Sequence, residues 1–260
     1  MIAIADNLNT RNKTYMESLR IKDRKSIAGM LKKLKNAGAD MINFQCSLDG
    51  TGDEDNLLWI AEIASEITDK VSLDTRNTAA LKKALKKCKK PPLINYISEN
   101  EPDDQEELLS IVSDTGSSLV IRASKVTIPT SIEAKLQIIE KLLDMANKFD
   151  IPNEKIFADP SIVHIGRGMG QKHLANSYEC IRILKDLVDP PLKTIAWISN
   201  ISTGMPRKLR KPLEASFLLY LAGAGLDAGM VDILDENVKK AIYLIKSFRD
   251  EIVFSQTDIE

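Results

Sequence analysis

The chain is poor in the residues that build disulfide frameworks and metal cages. Its 260 residues include three cysteines and two histidines. Cys46, Cys88 and Cys180 have wide, unrelated spacings, which predict neither a disulfide framework nor a tetrahedral metal site. A histidine pair such as His164 and His173 is more often found at surface or packing positions than as metal ligands. We therefore expect no metal to be bound by this chain.

The sequence also lacks a marked excess of charge and a long hydrophobic run. Lys and Arg number 36 against 37 Asp and Glu, a formal net charge of −1, whereas nonspecific nucleic-acid binding relies on many cations. No apolar run approaches the ~18 residues that a membrane span needs. The N-terminus, MIAIADNLNT, has neither the basic start nor the apolar stretch of a signal peptide. We expect a cytoplasmic protein that binds neither nucleic acid nor membrane.

What the sequence does contain is a repeated alternation of short apolar runs and longer stretches with helical spacing. It is 43% hydrophobic, enough for a sizeable core, and no Ser/Gly-rich linker divides it. Eight alternations over this length favour a TIM (β/α)8 barrel that spans residues 1–260 as one domain without internal boundary, with an open doubly wound sheet as the alternative. The predicted strands are Ile2–Ala5, Met41–Gln45, Val71–Asp74, Leu93–Asn95, Leu119–Arg122, Ile156–Asp159, Thr194–Ser199 and Asp227–Val231.

The predicted helices rest on apolar residues at i, i+3, i+4 and i+7, for example within residues 27–34, 57–67 and 132–146. Thr130 stands three residues before Glu133, the spacing of a capping box, so we expect a helix to begin after Thr130. Three glycines that precede strands are expected to end helices in the left-handed conformation: Gly38, Gly116 and Gly225.

Polar side chains end nearly every predicted strand. In a closed parallel barrel these ends lie on one rim, where barrel active sites occur. One such residue usually only caps a helix or turn, but seven in succession indicate a site. Carboxylates and amides together match the N–H donors and carbonyl acceptors of a flat heterocycle. The seven strand ends together carry these nine polar residues: Asp6, Asn9, Asn43, Gln45, Asp74, Asn95, Arg122, Asp159 and Asn200.

A glycine-rich segment, GRGMG at residues 166–170, is the other conspicuous pattern. It could hold an anion at the start of a helix. It lacks the dinucleotide-binding fingerprint and the Lys-Ser/Thr of a P-loop, so we interpret it as a mobile loop.

The strand-end motifs resemble those of the pterin-binding barrels. They are SLDTRN at 72–77, LINYISEN at 93–100, FADPSI at 157–162 and ISNIS at 198–202. The chain is most similar to the methyltetrahydrofolate:corrinoid protein methyltransferases, from IADNLN at 4–9 to GLDAGMVD at 225–232. The resemblance implies methyl transfer between N5 of methyltetrahydrofolate and the cobalt of a corrinoid, in one-carbon metabolism or a demethylation system. It also implies a homodimer.

The resemblance further implies roles for individual residues. Asp74, Asn95 and Asp159 match positions that bind the pterin ring, and Asn200 matches the asparagine that approaches N5. As a neutral amide, Asn200 is no proton source, but it can donate a hydrogen bond to N5 in the transition state. The remaining rim positions expected to contact the folate are Asp6, Asn9, Asn43, Gln45, Lys125 and Arg207.

The sequence departs from the family in two segments. Strand two reads NFQ at 43–45 where a relative would read DLN, and TGMPRKLRKP at 203–212 is slightly longer than its counterpart in the enzyme of acetogens. The chain also has no D-x-H-x-x-G stretch of the kind that holds cobalamin, so we expect the corrinoid on a separate protein.

Two alternative functions remain open from the sequence. Dihydropteroate synthase has the same barrel but needs a late Arg-x-His, and no histidine follows His173 here. A noncatalytic folate-binding subunit is the second alternative. The NFQ departure supports it, whereas the retained Asn200, Asp74 and Asp159 oppose it.

Overall fold

The computed structural model describes residues 1–99 and 105–258. Within them, eight parallel strands close into a barrel in chain order, and β1 pairs with β8 through Ile4 and Met230. The predicted TIM barrel is therefore confirmed, and the open sheet is wrong. The strands are β1 (Ile2–Leu8), β2 (Met41–Gln45), β3 (Val71–Asp74), β4 (Leu93–Ser98), β5 (Ser118–Arg122), β6 (Ile156–Asp159), β7 (Lys193–Trp197) and β8 (Ala228–Val231).

The helices form the outer layer of the barrel. They are α1 (Lys13–Arg20), α2 (Arg24–Asn36), α3 (Asp53–Ser65), α4 (Thr78–Leu85), α5 (Gln105–Thr115), α6 (Ile132–Asn147), α7 (Gly170–Leu184), α8 (Arg207–Gly223) and α9 (Glu236–Phe248). Short 3-10 helices cover Asn153–Lys155, Ile198–Ser202 and Gln256–Asp258. Among the helices of the described residues, none is both long and apolar enough to cross a membrane.

The ends of several elements differ from the predicted ones. β1 continues through the polar residues after Ala5, and β7 stops at Trp197 because the next five residues form a 3-10 helix. The short helix α1 was not predicted. Helix α6 begins one residue later than expected: the Ser131 side chain accepts from the Ala134 N–H, while the Thr130 carbonyl accepts from Asn176. The last residue of the LINYISEN motif, Asn100, lies outside the described residues.

The apolar core has an inner and an outer part. Buried side chains fill the space inside the barrel, so it is a packed core rather than a pore. A larger cluster lies between the strands and the helices. The three glycines predicted to end helices do have positive φ angles, +89°, +62° and +98°. With both ends of the strands fixed by this packing, polar residues at the C-terminal ends are held over a rigid floor. The inner cluster is Ile4, Leu93, Val120, Phe157, Ile195, Trp197, Ala228 and Met230.

Candidate active site

A cavity of about 410 Å³ opens at the C-terminal ends of the strands. Parallel strands bring their carboxyl ends to one rim, so residues far apart in the sequence meet there. The cavity is also lined by Arg11, Arg76, Tyr96, Arg122 and Trp197. Five of the residues predicted to contact the folate line it: Asp6, Asn9, Gln45, Asp74 and Asn200.

Two buried asparagines form a hydrogen-bonded layer beneath this cavity. Asn43 Nδ2 donates to Asp6 Oδ1 at 3.2 Å, and Asn95 Nδ2 donates to Asn43 Oδ1 at 2.9 Å and to Ser72 Oγ at 2.8 Å. The Asn95 Oδ1 atom is buried without a hydrogen-bond partner among the described residues. An unsatisfied buried acceptor is costly, so this oxygen is suited to a ligand N–H.

The amides of the NFQ segment fit the carboxylates around them. Gln45 Nε2 donates to Asp74 Oδ2 at 2.9 Å, and Gln45 Oε1 accepts from Thr10 Oγ1 at 3.1 Å. A carboxylate at position 43 would stand against Asp6 and repel it. The departure from the family pattern therefore replaces a repulsive contact by a hydrogen bond, and leaves two carboxylates in the cavity.

Both of these carboxyl groups have raised pKa values. Burial raises the pKa of Asp6 to about 6, and the nearby Arg11 opposes this shift. Burial, reinforced by the charge of Asp6, raises the pKa of Asp74 to about 7, with Arg122 opposing. Two acidic groups that titrate near neutral pH thus share one cavity, which is typical of functional sites.

Arg122 covers the predicted pterin ligand Asp159. Its Nε atom lies 2.6 Å from Asp159 Oδ2, and its guanidinium carbon lies 4.2 Å from the ring centre of Tyr96 and 4.3 Å from that of Trp197. Asp159 also accepts from the Ser161 N–H and is fully buried. It therefore lies behind Arg122 and outside the cavity lining.

Asn200 lies on the 3-10 helix Ile198–Ser202 and faces the cavity half-buried. Its side chain has no hydrogen-bond partner among residues 1–99 and 105–258, so both its amide donor and its carbonyl are available. The segment is held at its end by Ser202, whose hydroxyl donates to the buried Glu214 on α8. Lys211 in turn pairs with Glu214 at 2.9 Å and with Asp232 at 2.8 Å.

Two of the predicted folate contacts lie away from the cavity. Lys125 is exposed and pairs with Glu99 at 2.9 Å, and Arg207 is the exposed first residue of α8. Neither side chain belongs to the lining of the 410 Å³ cavity. Contact of these two residues with a folate stays a prediction.

A second cavity, of about 520 Å³, lies next to the first and shares Asp6, Asn9 and Arg11 with it. Arg11 Nη2 lies 3.4 Å from Asp6 Oδ2 and 3.1 Å from Ser199 Oγ. Arg11 therefore forms part of the wall between the two spaces. Arg210, from the segment whose role the sequence left open, lines the second cavity.

The glycine-rich segment and the histidines lie outside the cavity lining. Gly170 begins α7, and a Cβ atom there would be 2.4 Å from the Ile165 carbonyl oxygen, which explains the glycine. His173 is packed in the buried face of α7. Within the part of the chain that the structure describes, no group of three or more His, Cys, Asp or Glu residues is arranged to hold a metal ion.

Sequence comparison identifies the class of protein that this barrel and rim define. The family model described as "Pterin binding enzyme" matches residues 7–232, so the chain belongs to the pterin-binding enzymes. Among the relatives is the methylcorrinoid:tetrahydrofolate methyltransferase of Eubacterium limosum, 24% identical over 251 residues that cover 94% of this chain and 89% of that protein. The predicted family and the predicted methyltransferase class are confirmed.

One further sequence relative and two solved structures extend the comparison. Methionine synthase of Mycobacterium tuberculosis is 23% identical over 241 residues, which are 89% of this chain but 20% of that protein. Dihydropteroate synthase of Yersinia pestis with a pterine–sulfa conjugate superposes with a TM-score of 0.71 at 15% identity, over 96% of this chain and 94% of that one. The synthase of Thermus thermophilus in complex with 6HMPPP gives 0.62 at 17% identity, over 95% and 92%. At these identities the structural likeness shows the fold alone.

Proposed function

We propose that this protein transfers a methyl group between N5 of a tetrahydrofolate and the cobalt of a corrinoid that a separate protein carries. The observation that supports the proposal is the rim of the barrel, where Asp6, Asp74 and the unpartnered amide of Asn200 face one 410 Å³ cavity. The name of the Eubacterium limosum relative supports the same pair of substrates.

The carboxylates and buried amides supply recognition of the pterin ring. Asp74 in its ionised form accepts ring N–H groups, and the unpaired Asn95 Oδ1 is a further acceptor below it. Gln45 and Asn43 hold the two carboxylates in place through their amide groups. A ring fixed at several points directs the methyl group along one line, which contributes to the rate by orienting the reactants.

Asn200 supplies the catalytic interaction. A tertiary amine is a poor leaving group because departure without a proton would produce an amide anion. A hydrogen bond from the Asn200 amide to N5, or to a water that protonates N5, becomes stronger as the methyl group leaves. In the reverse direction the same bond holds the unmethylated nitrogen in position. The corrinoid is the second substrate and approaches from the open side of the cavity.

A single experiment tests this function. The purified chain is mixed with a reduced corrinoid protein and methyltetrahydrofolate, and the decay of the cobalt(I) absorbance is followed by stopped flow. We expect decay that requires both the enzyme and the methylated folate. Folate binding without decay would favour a noncatalytic folate-binding subunit. Condensation of a pterin pyrophosphate with p-aminobenzoate would favour a synthase.

Finer features belong to the same proposal. We place the reaction in one-carbon metabolism or a demethylation system, in the cytoplasm, with the protein as a homodimer that binds neither nucleic acid nor membrane and no metal of its own. Sedimentation equilibrium tests the dimer: a molar mass equal to that of one 28.9 kDa chain would contradict it.

A further inference from the structure

Tyr96 and Trp197 line one side of the cavity, and Asp159 lies behind them; we call these three residues the aromatic corner. The two rings meet edge to face with centres 6.4 Å apart and planes at 75°. The guanidinium group of Arg122 lies against both rings and is paired with Asp159. It thereby fills the corner, and only 17% of the Arg122 side chain is exposed.

The side chains of the corner are suited to a planar group that carries N–H donors. Aromatic rings attract a flat cation, and a carboxylate accepts the parallel N–H groups of a guanidinium. The pyrimidinone half of a pterin resembles a guanidinium group, because one ring carbon is bonded both to a ring N–H and to an amino group. Arg122 donates to Asp159 Oδ2 through Nε alone, and an N–H group of the pterin edge can make the same kind of hydrogen bond to this oxygen.

The family resemblance already implies that Asp159 binds the pterin ring. We propose that Arg122 is an internal competitor for this carboxylate, which the pterin edge displaces, and that Tyr96 and Trp197 then contact the pterin in place of the arginine. The inference rests on the proposed folate substrate and adds three residues to its site. Asp159 is fully buried behind Arg122, so a pterin can reach this carboxylate only after the arginine has moved.

The surroundings of Arg122 give the displaced side chain a place to go. It lines the same cavity as Asp6 and Asp74, and its charge already acts on both carboxyl groups. Moving toward them keeps the cation near negative charge. Asp159 accepts a hydrogen bond from the arginine before the exchange and from the bound ring after it. A ligand without N–H donors would leave the Ser161 N–H as the partner of this buried carboxylate and replace nothing of the Arg122 contact, which is unfavourable.

Calorimetric titration with a tetrahydropterin tests the competition. In Arg122→Ala no side chain competes for the corner, so we expect the dissociation constant for the tetrahydropterin to fall about tenfold. This is the change expected if Arg122 blocks the site in about nine wild-type molecules of ten. Arg122→Lys keeps a cation near Asp159 but not the planar fork, and we expect an intermediate value. An unchanged or higher dissociation constant in Arg122→Ala would overturn the proposal.

Arg76→Ala is the matched control. Arg76 lines the same cavity and donates to the Tyr96 hydroxyl at 2.9 Å. Its removal takes one arginine from the cavity but leaves the corner filled by Arg122. We expect no tightening of pterin binding in this variant. Equal tightening in both variants would mean that the effect is one of net charge and would overturn the competition.

A second measurement uses no folate and therefore separates this inference from the proposed function. Millimolar guanidinium chloride should raise the thermal midpoint of Arg122→Ala relative to the same concentration of potassium chloride, and should not raise that of the wild type. The added Asp159→Asn substitution should abolish the rise. Absence of the rise refutes the corner as a guanidine-like subsite even if methyl transfer is active. If guanidinium raises the thermal midpoint of Arg122→Ala but no pterin binds, then the proposed folate substrate is wrong, and so is the pterin as the ligand that displaces Arg122.

Discussion

At the scale of single residues, the cavity combines fixed carboxylates with one unengaged amide. Asp6 and Asp74 each accept a hydrogen bond from a neighbouring amide, whereas the Asn200 amide has no partner among the described residues. Because the Asn200 amide makes no hydrogen bond to these residues, it can form one selectively when charge develops on the substrate. The difference between the two kinds of residue leads to different expected effects of substitution.

Replacing Asn200 by Ala should slow methyl transfer about 100- to 1,000-fold, the usual effect of removing one donor to a developing charge. The dissociation constant for methyltetrahydrofolate should change less than about threefold, because the bond to N5 is weak before transfer begins. Single-turnover stopped flow gives the rate, and calorimetry gives the binding. The matched control is Asn176→Ala, which removes a surface amide that donates to the Thr130 carbonyl. Equal losses in rate and binding would assign Asn200 to holding the ring.

The raised pKa values of Asp6 and Asp74 predict a dependence of stability on pH. The folded chain holds these protons to about pH 6 and 7, whereas an unfolded chain releases them near 3.8. The folded state binds more protons in between, so the free energy of unfolding falls as pH rises from about 4 to 7 and levels off above. Asp74→Asn should stabilise the protein at pH 8 by about 1–3 kcal/mol.

Urea unfolding at pH 5 and pH 8 measures this effect. The stabilisation by Asp74→Asn should be much smaller at pH 5, where the carboxyl of the wild type is still protonated. Asp55→Asn, at an exposed carboxyl of α3, is the control and should give no such difference between the two pH values. A stability of the wild type that rises between pH 5 and 7 would contradict the raised pKa values.

The meeting of Asp6, Gln45 and Asp74 at one cavity was predictable, because a parallel barrel brings strand ends together whatever the local sequence. The position of Arg122 was not. Sequence shows that an arginine ends β5, but its contacts with Tyr96 on β4 and Trp197 on β7 depend on packing across strands that are distant in the chain. Lys125, three residues further on, was expected at the folate instead, and it lies outside the cavity lining.

At the scale of elements, the strands were predicted better than their ends. β2, β3 and β6 have the predicted bounds, because each is a short run that begins with an apolar residue and ends with a polar one. The end of β7 was missed because residues 198–202 have an apolar content that suits either a strand or a tight helical turn. That turn bears on the proposed function, since it places Asn200 in the cavity lining.

The Ser202–Glu214 contact should therefore control the placement of Asn200. In Ser202→Ala the buried Glu214 loses a hydrogen bond, at a cost of about 1–2 kcal/mol in unfolding free energy. We expect methyl transfer to slow about tenfold with little change in folate binding, because small displacements of an oriented group affect the rate first. The control is Ser247→Ala, which removes a hydroxyl bonded to the Tyr243 carbonyl on α9. If transfer in Ser202→Ala stays at the wild-type rate, the contact serves stability alone.

At the scale of the whole molecule, the two ends of the barrel have separate tasks. The C-terminal rim carries the cavity, and the opposite end joins the strands. Asp227, just before β8, accepts hydrogen bonds from the Thr194 N–H at 2.7 Å and the Thr194 hydroxyl at 3.1 Å, and pairs with Lys185. Its own carbonyl accepts from the Ile2 N–H. This residue ties β7, β8 and β1 together far from the proposed chemistry.

Asp227→Ala should accordingly destabilise the protein by about 1–3 kcal/mol through the unpaired partners it leaves. The rate of methyl transfer per folded molecule should be unchanged. Urea unfolding measures the first quantity and stopped flow the second. Asp144→Ala, at an exposed carboxyl of α6, is the control for the loss of one carboxyl group. Loss of transfer in fully folded Asp227→Ala would show that the two ends are not independent.

Trp197, which Arg122 contacts, is an intrinsic fluorophore in the lining of the cavity. The chain has two tryptophans, and the other, Trp59, lies on α3 next to Lys22. In a Trp59→Phe variant all indole emission would come from the ring that Arg122 now touches. The arrival or departure of any neighbour at that ring would then change the emission spectrum, so occupancy could be followed in real time without a label.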